Sequence, residues 1–233
     1  MKGLFCSLSI AFSAAPAAPV TPPKAIVAPA PVKASASVEL VERVQKFYET
    51  TTDFTAEFSQ DYTYKTFRRT QHSTGQVAFK KPAMMRWDYE APAGKSFVLA
   101  GDVAYALDSE ALTLTKTPFD ANQLSAAVTF LWGKGKLLTE FDVAPGTCAG
   151  CPGVRLILTP KKTEARFQRV YLDVEEKTGK VLRSTVIDPD GSENAITFNK
   201  LVANVGVADA RFKLTPPPGT QVVDLTRPQS PKP

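Results

Sequence analysis

Four residues are of the types that most often do catalysis or bind metal: the single histidine, His72, and the three cysteines, Cys6, Cys148 and Cys151. His72 stands in the polar run RTQHSTG, with no serine or cysteine motif beside it, and reads as a surface turn residue. Cys148 and Cys151, in GTCAGCPG, have the spacing of redox and zinc motifs. A redox pair opens a helix whose dipole lowers the thiol pKa, but here Pro145-Gly146 and Pro152-Gly153 bracket the cysteines between two strand-like runs. Zinc needs two more nitrogen or sulfur ligands, and only His72 and Cys6 are left to supply them. A disulfide closing a hairpin loop is the favoured reading in an exported chain, with a redox pair and a metal site as its alternatives. No glycine-rich phosphate loop, His-Glu-x-x-His or aspartate-rich calcium loop occurs. The expectation is a protein with no catalytic residue, no cofactor and no metal.

The more informative chemistry is apolar. In KKPAMMRWDYEAP, strand alternation puts Met85, Trp87 and Tyr89 on one face and Met84, Arg86 and Asp88 on the other. Phe54, Phe58, Phe79, Phe97, Leu99 and Tyr105 recur on neighbouring strand-like runs. Such a face is either an ordinary core or a concave wall open to a ligand, and periodicity does not separate the two. Methionine leans toward the second, because flexible thioethers suit surfaces that accept varied apolar partners.

The elements that must position these residues are short. A helix is expected from Ser37, capped by its hydroxyl, with Leu40, Val41, Val44, Phe47 and Tyr48 along one side. DFTAEFSQDYTY then alternates as a strand. Strand-like runs follow at Thr74–Phe79, Met84–Tyr89, Ser96–Leu99, Val103–Leu107 and Leu112–Thr117, separated by turn residues. Leu124, Val128 and Leu131 return to helical spacing. Strands resume at Glu140–Val143, Val154–Thr159, Arg166–Val174, Val181–Ile187 and Glu193–Leu201, with EKTG and DPDG as hairpin turns. The fold class expected is α+β and β-rich, either a barrel or a strongly curled antiparallel sheet with two or three helices.

The ends are different in kind. Residues 1–17 read as a signal peptide, with Lys2, an apolar run from Leu4 to Phe12 and small residues after it. That run is about half of what a membrane span needs, and Cys6 lies at its start, which argues against lipid attachment there. Residues 18–36 read as a Pro/Ala linker, 37–226 as one folded domain and 227–233 as a Pro-rich tail. Without Lys2, Lys24 and Lys33, which lie in a stretch that has no acids, the formal charge falls from +5 to +2. That excludes a nucleic-acid footprint.

The segment GQVAFKKPAMMRWDYEAPAGKSFVLAGDVAYALD (75–108) resembles the signature of the LolA family of periplasmic carriers for outer-membrane lipoproteins. FTAEFSQ before it and FKLTPPPGTQVVD (212–224) after it are similar to the family's opening strand and closing segment. The resemblance implies a half-open antiparallel β-barrel, its hydrophobic cavity covered by helices, that shields the acyl chains of lipoproteins. It implies Phe54, Phe58, Met85, Trp87, Tyr89 and Leu99 as cavity lining, Leu124, Val128 and Leu131 as a lid helix, and Lys81 as the lid latch. Two positions depart from the family pattern: Lys81 stands where an arginine is usual, and Met85 where phenylalanine is common. Implied partners are outer-membrane lipoproteins, a LolCDE-type inner-membrane transporter and a LolB-type receptor where one exists, with the carrier a monomer in the periplasm. The alternatives are a sensor or glycolipid carrier on the same scaffold and, least favoured, a lipid or glycan hydrolase.

Overall fold

The computed structural model describes residues 34–119 and 136–226. Helix α1 spans Ala34–Thr50, and Leu40, Val41, Val44 and Tyr48 form its buried stripe. It starts three residues before the expected cap, inside the stretch read as linker. Ser37 is therefore within the first turn, and its buried hydroxyl has no hydrogen-bond partner. The other end is well satisfied: the Thr51 hydroxyl donates to the carbonyl of Phe47 at 2.8 Å, and that of Thr50 to the carbonyl of Lys46 at 3.0 Å. Threonine hydroxyls offered to last-turn carbonyls stop the helix where the sequence turns extended.

Twelve strands form one sheet: β1 Asp53–Tyr64, β2 Arg69–Lys80, β3 Met84–Ala91, β4 Ala93–Ala100, β5 Val103–Asp108, β6 Thr113–Pro118, β7 Phe141–Gly146, β8 Val154–Pro160, β9 Arg169–Val174, β10 Val181–Ile187, β11 Glu193–Ala203 and β12 Gln221–Asp224. Their order across the sheet is β12-β6-β5-β4-β3-β2-β1-β11-β10-β9-β8-β7. Two runs of antiparallel hairpins are thus joined at β1, which pairs with β2 on one side and β11 on the other. The sheet does not close, since β12 and β7 lie at opposite ends of that order. One pairing departs from the antiparallel expectation, because β12 runs parallel to β6. The DPDG turn connects β10 to β11 and EKTG connects β9 to β10, as their spacing predicts. Gly179 of the second turn is needed there: a Cβ would fall 2.4 Å from the backbone of Arg43 in α1.

Alternation sorts the side chains into two layers. One face packs Phe54, Phe58, Val77 and Phe79 with α1 and with the aliphatic strands β8–β10 in the main cluster. The opposite face carries a smaller cluster of Ala78, Val98, Val207 and Phe212, with Met84 against it. The segment after β11 covers that second face before adding β12. The two faces of β3 are those its alternation predicts.

Adjacent lysines at the end of β2 fasten different elements. Lys80 Nζ donates to the Val207 carbonyl at 2.8 Å and to Asp209 at 2.6 Å, holding the C-terminal segment. Lys81 Nζ donates to the carbonyls of Tyr48 at 2.7 Å and Glu49 at 3.0 Å, holding the last turn of α1.

Candidate functional site

Strand register builds a wall row by row. Phe54, Phe79, Met85, Leu99 and Ala104 are successive cross-strand partners from β1 to β5. Ala56, Val77, Trp87, Phe97 and Ala106 form the next row. Phe54 and Phe79 stack at 5.1 Å between ring centroids. Phe58 meets Trp87 edge-on at 4.8 Å and Tyr89 at 5.2 Å, the offset geometry aromatic quadrupoles favour. Gly75 makes this possible, because its missing side chain leaves the place where the Phe58 ring lies; a Cβ there would come within 2.8 Å of that ring.

Against the wall lies a pocket of about 230 Å³ lined by Met85, Trp87, Phe97, Leu99, Ala104 and Phe119, among others. The structure thus brings Met85, Trp87 and Leu99 together at one opening. Phe54 and Phe58, at 4 % and 2 % exposure, are buried in the core beside them and do not line the pocket. Tyr89 lies one row further along, at a second and more polar pocket; burial raises its phenol pKa. Phe97 and Phe119 are lining residues that were not among the expected ones. Phe97 shares the alternation of Leu99 and is its exposed member, at 45 %. Leu124, Val128 and Leu131 lie outside the described residues.

Lys81 meets the C-terminal end of α1, where backbone carbonyls attract a cation. Burial lowers its pKa, while the nearby Glu49 carboxylate opposes that shift. Below it, Asp53 is buried at the start of β1 and accepts from the backbone N–H groups of Val205 at 2.8 Å and Gly206 at 3.0 Å. Burial alone would raise the Asp53 pKa, but the hydrogen bonds, those from Val207 and Thr52 included, outweigh it and hold the carboxyl below its ordinary range. Asp88 is held low in the same way: burial works against ionisation, while Arg86, Ser96 and Arg211 overcome it. Arg86 in turn donates to the carbonyls of Arg211 and Lys213.

His72 is not in a turn. It lies in β2 directly across from Asp61, and its Nδ1 is 2.6 Å from that carboxylate at an exposed site. The alternation that would have shown this is hidden, because every residue of RTQHST is polar. Cys148 and Cys151 follow β7 with their Cα atoms 5.7 Å apart and their sulfurs bonded to each other. Asp173 lies close enough to both for the three to hold a metal. Its carboxylate, however, is engaged by Arg155 through two hydrogen bonds of 2.7 and 2.9 Å, and bonded sulfurs are not thiolate ligands.

The described residues thus form an open, β-rich sheet with an apolar wall on one half of one face. The family profile described as Outer membrane lipoprotein carrier protein LolA matches residues 49–215, and the chain belongs to that family of lipoprotein carriers. It is 26 % identical over 193 residues to the outer-membrane lipoprotein carrier protein of Chromohalobacter salexigens, covering 83 % of this chain and 90 % of that one. It is 28 % identical over 184 residues to the carrier of the same name from Dechloromonas aromatica, covering 78 % and 86 %. Among solved structures, an uncharacterized conserved protein from Thermus thermophilus shares the fold with a TM-score of 0.52 at 14 % identity, covering 81 % of this chain and 99 % of that one. Among the described residues, no helix is long and apolar enough to cross a membrane.

Proposed function

We propose that this protein binds the acyl chains of lipoproteins released from the inner membrane and carries them through the periplasm to the outer membrane, without catalysing a reaction. The observation that carries the reading is the wall of Met85, Trp87, Phe97 and Leu99, part-open on a face that is packed closed over β8–β10. Each methylene hidden from water is worth about 0.8 kcal/mol, so long acyl chains need a shield to cross an aqueous space. A shield that must also release them suits thioether and aromatic groups better than an interlocked aliphatic core. In this reading the helix carrying Leu124, Val128 and Leu131 is the lid over the pocket. Lys81, bonded to α1, is the latch that fixes the frame on which the lid closes.

Loading falls to a LolCDE-type transporter and delivery to a LolB-type receptor where one exists, the carrier acting as a monomer. Residues 1–17 are the export signal, 18–36 a linker, 37–226 the carrier domain and 227–233 a tail. The Cys148–Cys151 disulfide closes the β7–β8 loop and takes no part in transport.

Met85→Glu tests the site. The side chain is part-exposed, so the variant is expected to fold with native secondary structure yet fail to release lipoproteins from spheroplasts. Release at the wild-type level would remove Met85 from the binding wall.

A further inference from the structure

The face that carries the apolar wall changes character along its strands. On β1 the inward positions run Phe54, Ala56, Phe58 and then Gln60, Tyr62, Tyr64; on β2 they run Phe79, Val77, Gly75 and then Ser73, Gln71; on β4, Leu99, Phe97 and then Lys95. Register aligns these changes, since Gln60 pairs with Ser73 and Tyr62 with Gln71, while Tyr89 pairs with Lys95. The polar ends meet in a second pocket of about 200 Å³, lined by Gln60, Tyr62, Gln71, Ser73, Tyr89 and Lys95, among others. Phe97 lines both pockets, so the two are neighbours on this face.

The groups of this second pocket divide into braced and unengaged. Gln60 accepts from the Tyr89 hydroxyl at 3.0 Å and donates to Asn194 at 2.8 Å. The Tyr62 hydroxyl donates to Asp188, and that bond to a carboxylate pushes its pKa up to about 12. These side chains have fixed directions. By contrast, Ser73, Gln71 and Lys95 make no side-chain hydrogen bond or ion pair among the described residues, although Ser73 is only 7 % exposed. Gln71 and Lys95 are exposed and the Ser73 hydroxyl opens on the pocket, so the three are donors free to turn toward an acceptor that enters it.

We propose that this polar end is a subsite for the ester and peptide carbonyls at the acylated end of the cargo, with the acyl chains lying along Met85, Trp87, Phe97 and Leu99. The proposal rests on the carrier reading and deepens it by giving the cargo a direction. Carbonyl oxygens are acceptors, and Ser73, Gln71 and Lys95 supply O–H, N–H and charged N–H donors. In the reverse orientation those carbonyls would lie unsatisfied against the apolar wall, which is disfavoured by several times thermal energy. The cargo polypeptide would then leave the groove near the β1–β2 hairpin.

Two probes on the purified full chain test it: a synthetic dipalmitoylglyceryl-cysteine peptide, and a fluorescent naphthylamine dye that has no ester or peptide group. Gln71→Leu/Lys95→Met changes two exposed positions, and Ser73→Val can be added to it. The lipopeptide is expected to bind the double variant roughly tenfold more weakly, about the loss of two modest hydrogen bonds, while dye affinity moves less than about twofold. Equal loss for both probes, or no loss for the lipopeptide, overturns the polar subsite while leaving the carrier reading standing. Failure of the wild-type chain to bind either probe overturns the carrier reading and the subsite with it. If Ser73→Val alters the unfolding transition, the double variant decides.

Discussion

The two halves of the sheet hang on the same central strand but are finished differently. In β8–β10, Leu156, Leu158, Val170, Leu172, Val174 and Val181 are at most 1 % exposed beneath α1. In β3–β5, Met85 and Trp87 are only part-buried and Phe97 stands open. Branched aliphatic side chains have few rotamers and interlock to crystal-like density. Aromatic rings and thioethers are large and adaptable, and here they form a surface that packs against itself on one side and faces a pocket on the other. One half supplies the stability that lets the other stay incompletely packed.

The sharpest way to break this comparison is to truncate one residue in each half. Leu172→Ala should cost about 2–5 kcal/mol, the usual range for a fully buried leucine, whereas Met85→Ala should cost about 1 kcal/mol or less because its side chain is already part-solvated. Urea unfolding of both variants measures the difference. Equal losses would make the β3–β5 half an ordinary core. Next in size is Gly75→Ala, whose Cβ would run into the Asp88 carbonyl and the Phe58 ring. A destabilisation of about 1–3 kcal/mol is expected, with the Phe58–Trp87–Tyr89 contacts disturbed first.

Acid should separate the halves as well. Asp53 and Asp88 have folded pKa values below the ordinary 3.8, so the stability they contribute is present above that value and lost as pH falls through the lower folded ones. Asp53 holds the backbone at Val205 and Gly206, and Asp88 braces the arginine that holds Arg211 and Lys213. Below about pH 4, therefore, the C-terminal segment should loosen from β2–β4. Hydrogen exchange followed by mass spectrometry should show protection falling there before it falls in β8–β10, and Asp53→Asn should shrink that acid-dependent step. The smallest effect is at Lys81. Lys81→Met removes two hydrogen bonds to α1 and should cost about 1 kcal/mol, with faster exchange at the last turn of α1. Lys81→Arg should recover most of it, since a guanidinium can still reach two carbonyls.

Much of the fold was legible because period and turn chemistry are local. The alternation of Met85, Trp87 and Tyr89 named the inner face of β3, and DPDG and EKTG marked two hairpins. What stayed hidden depends on distant partners. The polar start of β2 hides its alternation, so His72 reads as a turn, and only its pairing with β1 shows it to be a strand. Nothing local says that Gln221–Asp224 will lie parallel to β6, or that Ser37 will fall inside a helix rather than cap it. Pattern and resemblance singled out Met85, Trp87 and Leu99, which line one pocket. Phe54 and Phe58 carry the same pattern yet are sealed by α1 and neighbouring strands, a distinction between wall and core that only packing makes.

The most direct test of the carrier reading places a photoreactive phenylalanine at position 97, in the open wall, and another at Val222, equally exposed on β12. Each variant is incubated with membranes carrying palmitate-labelled lipoproteins, irradiated and examined for labelled adducts. Position 97 is expected to capture labelled lipoprotein and position 222 to capture none, with capture at 97 lost when the lipoprotein cannot be acylated. Absence of adducts at 97, or capture that is equal at the two positions or indifferent to acylation, would contradict a wall that holds acyl chains.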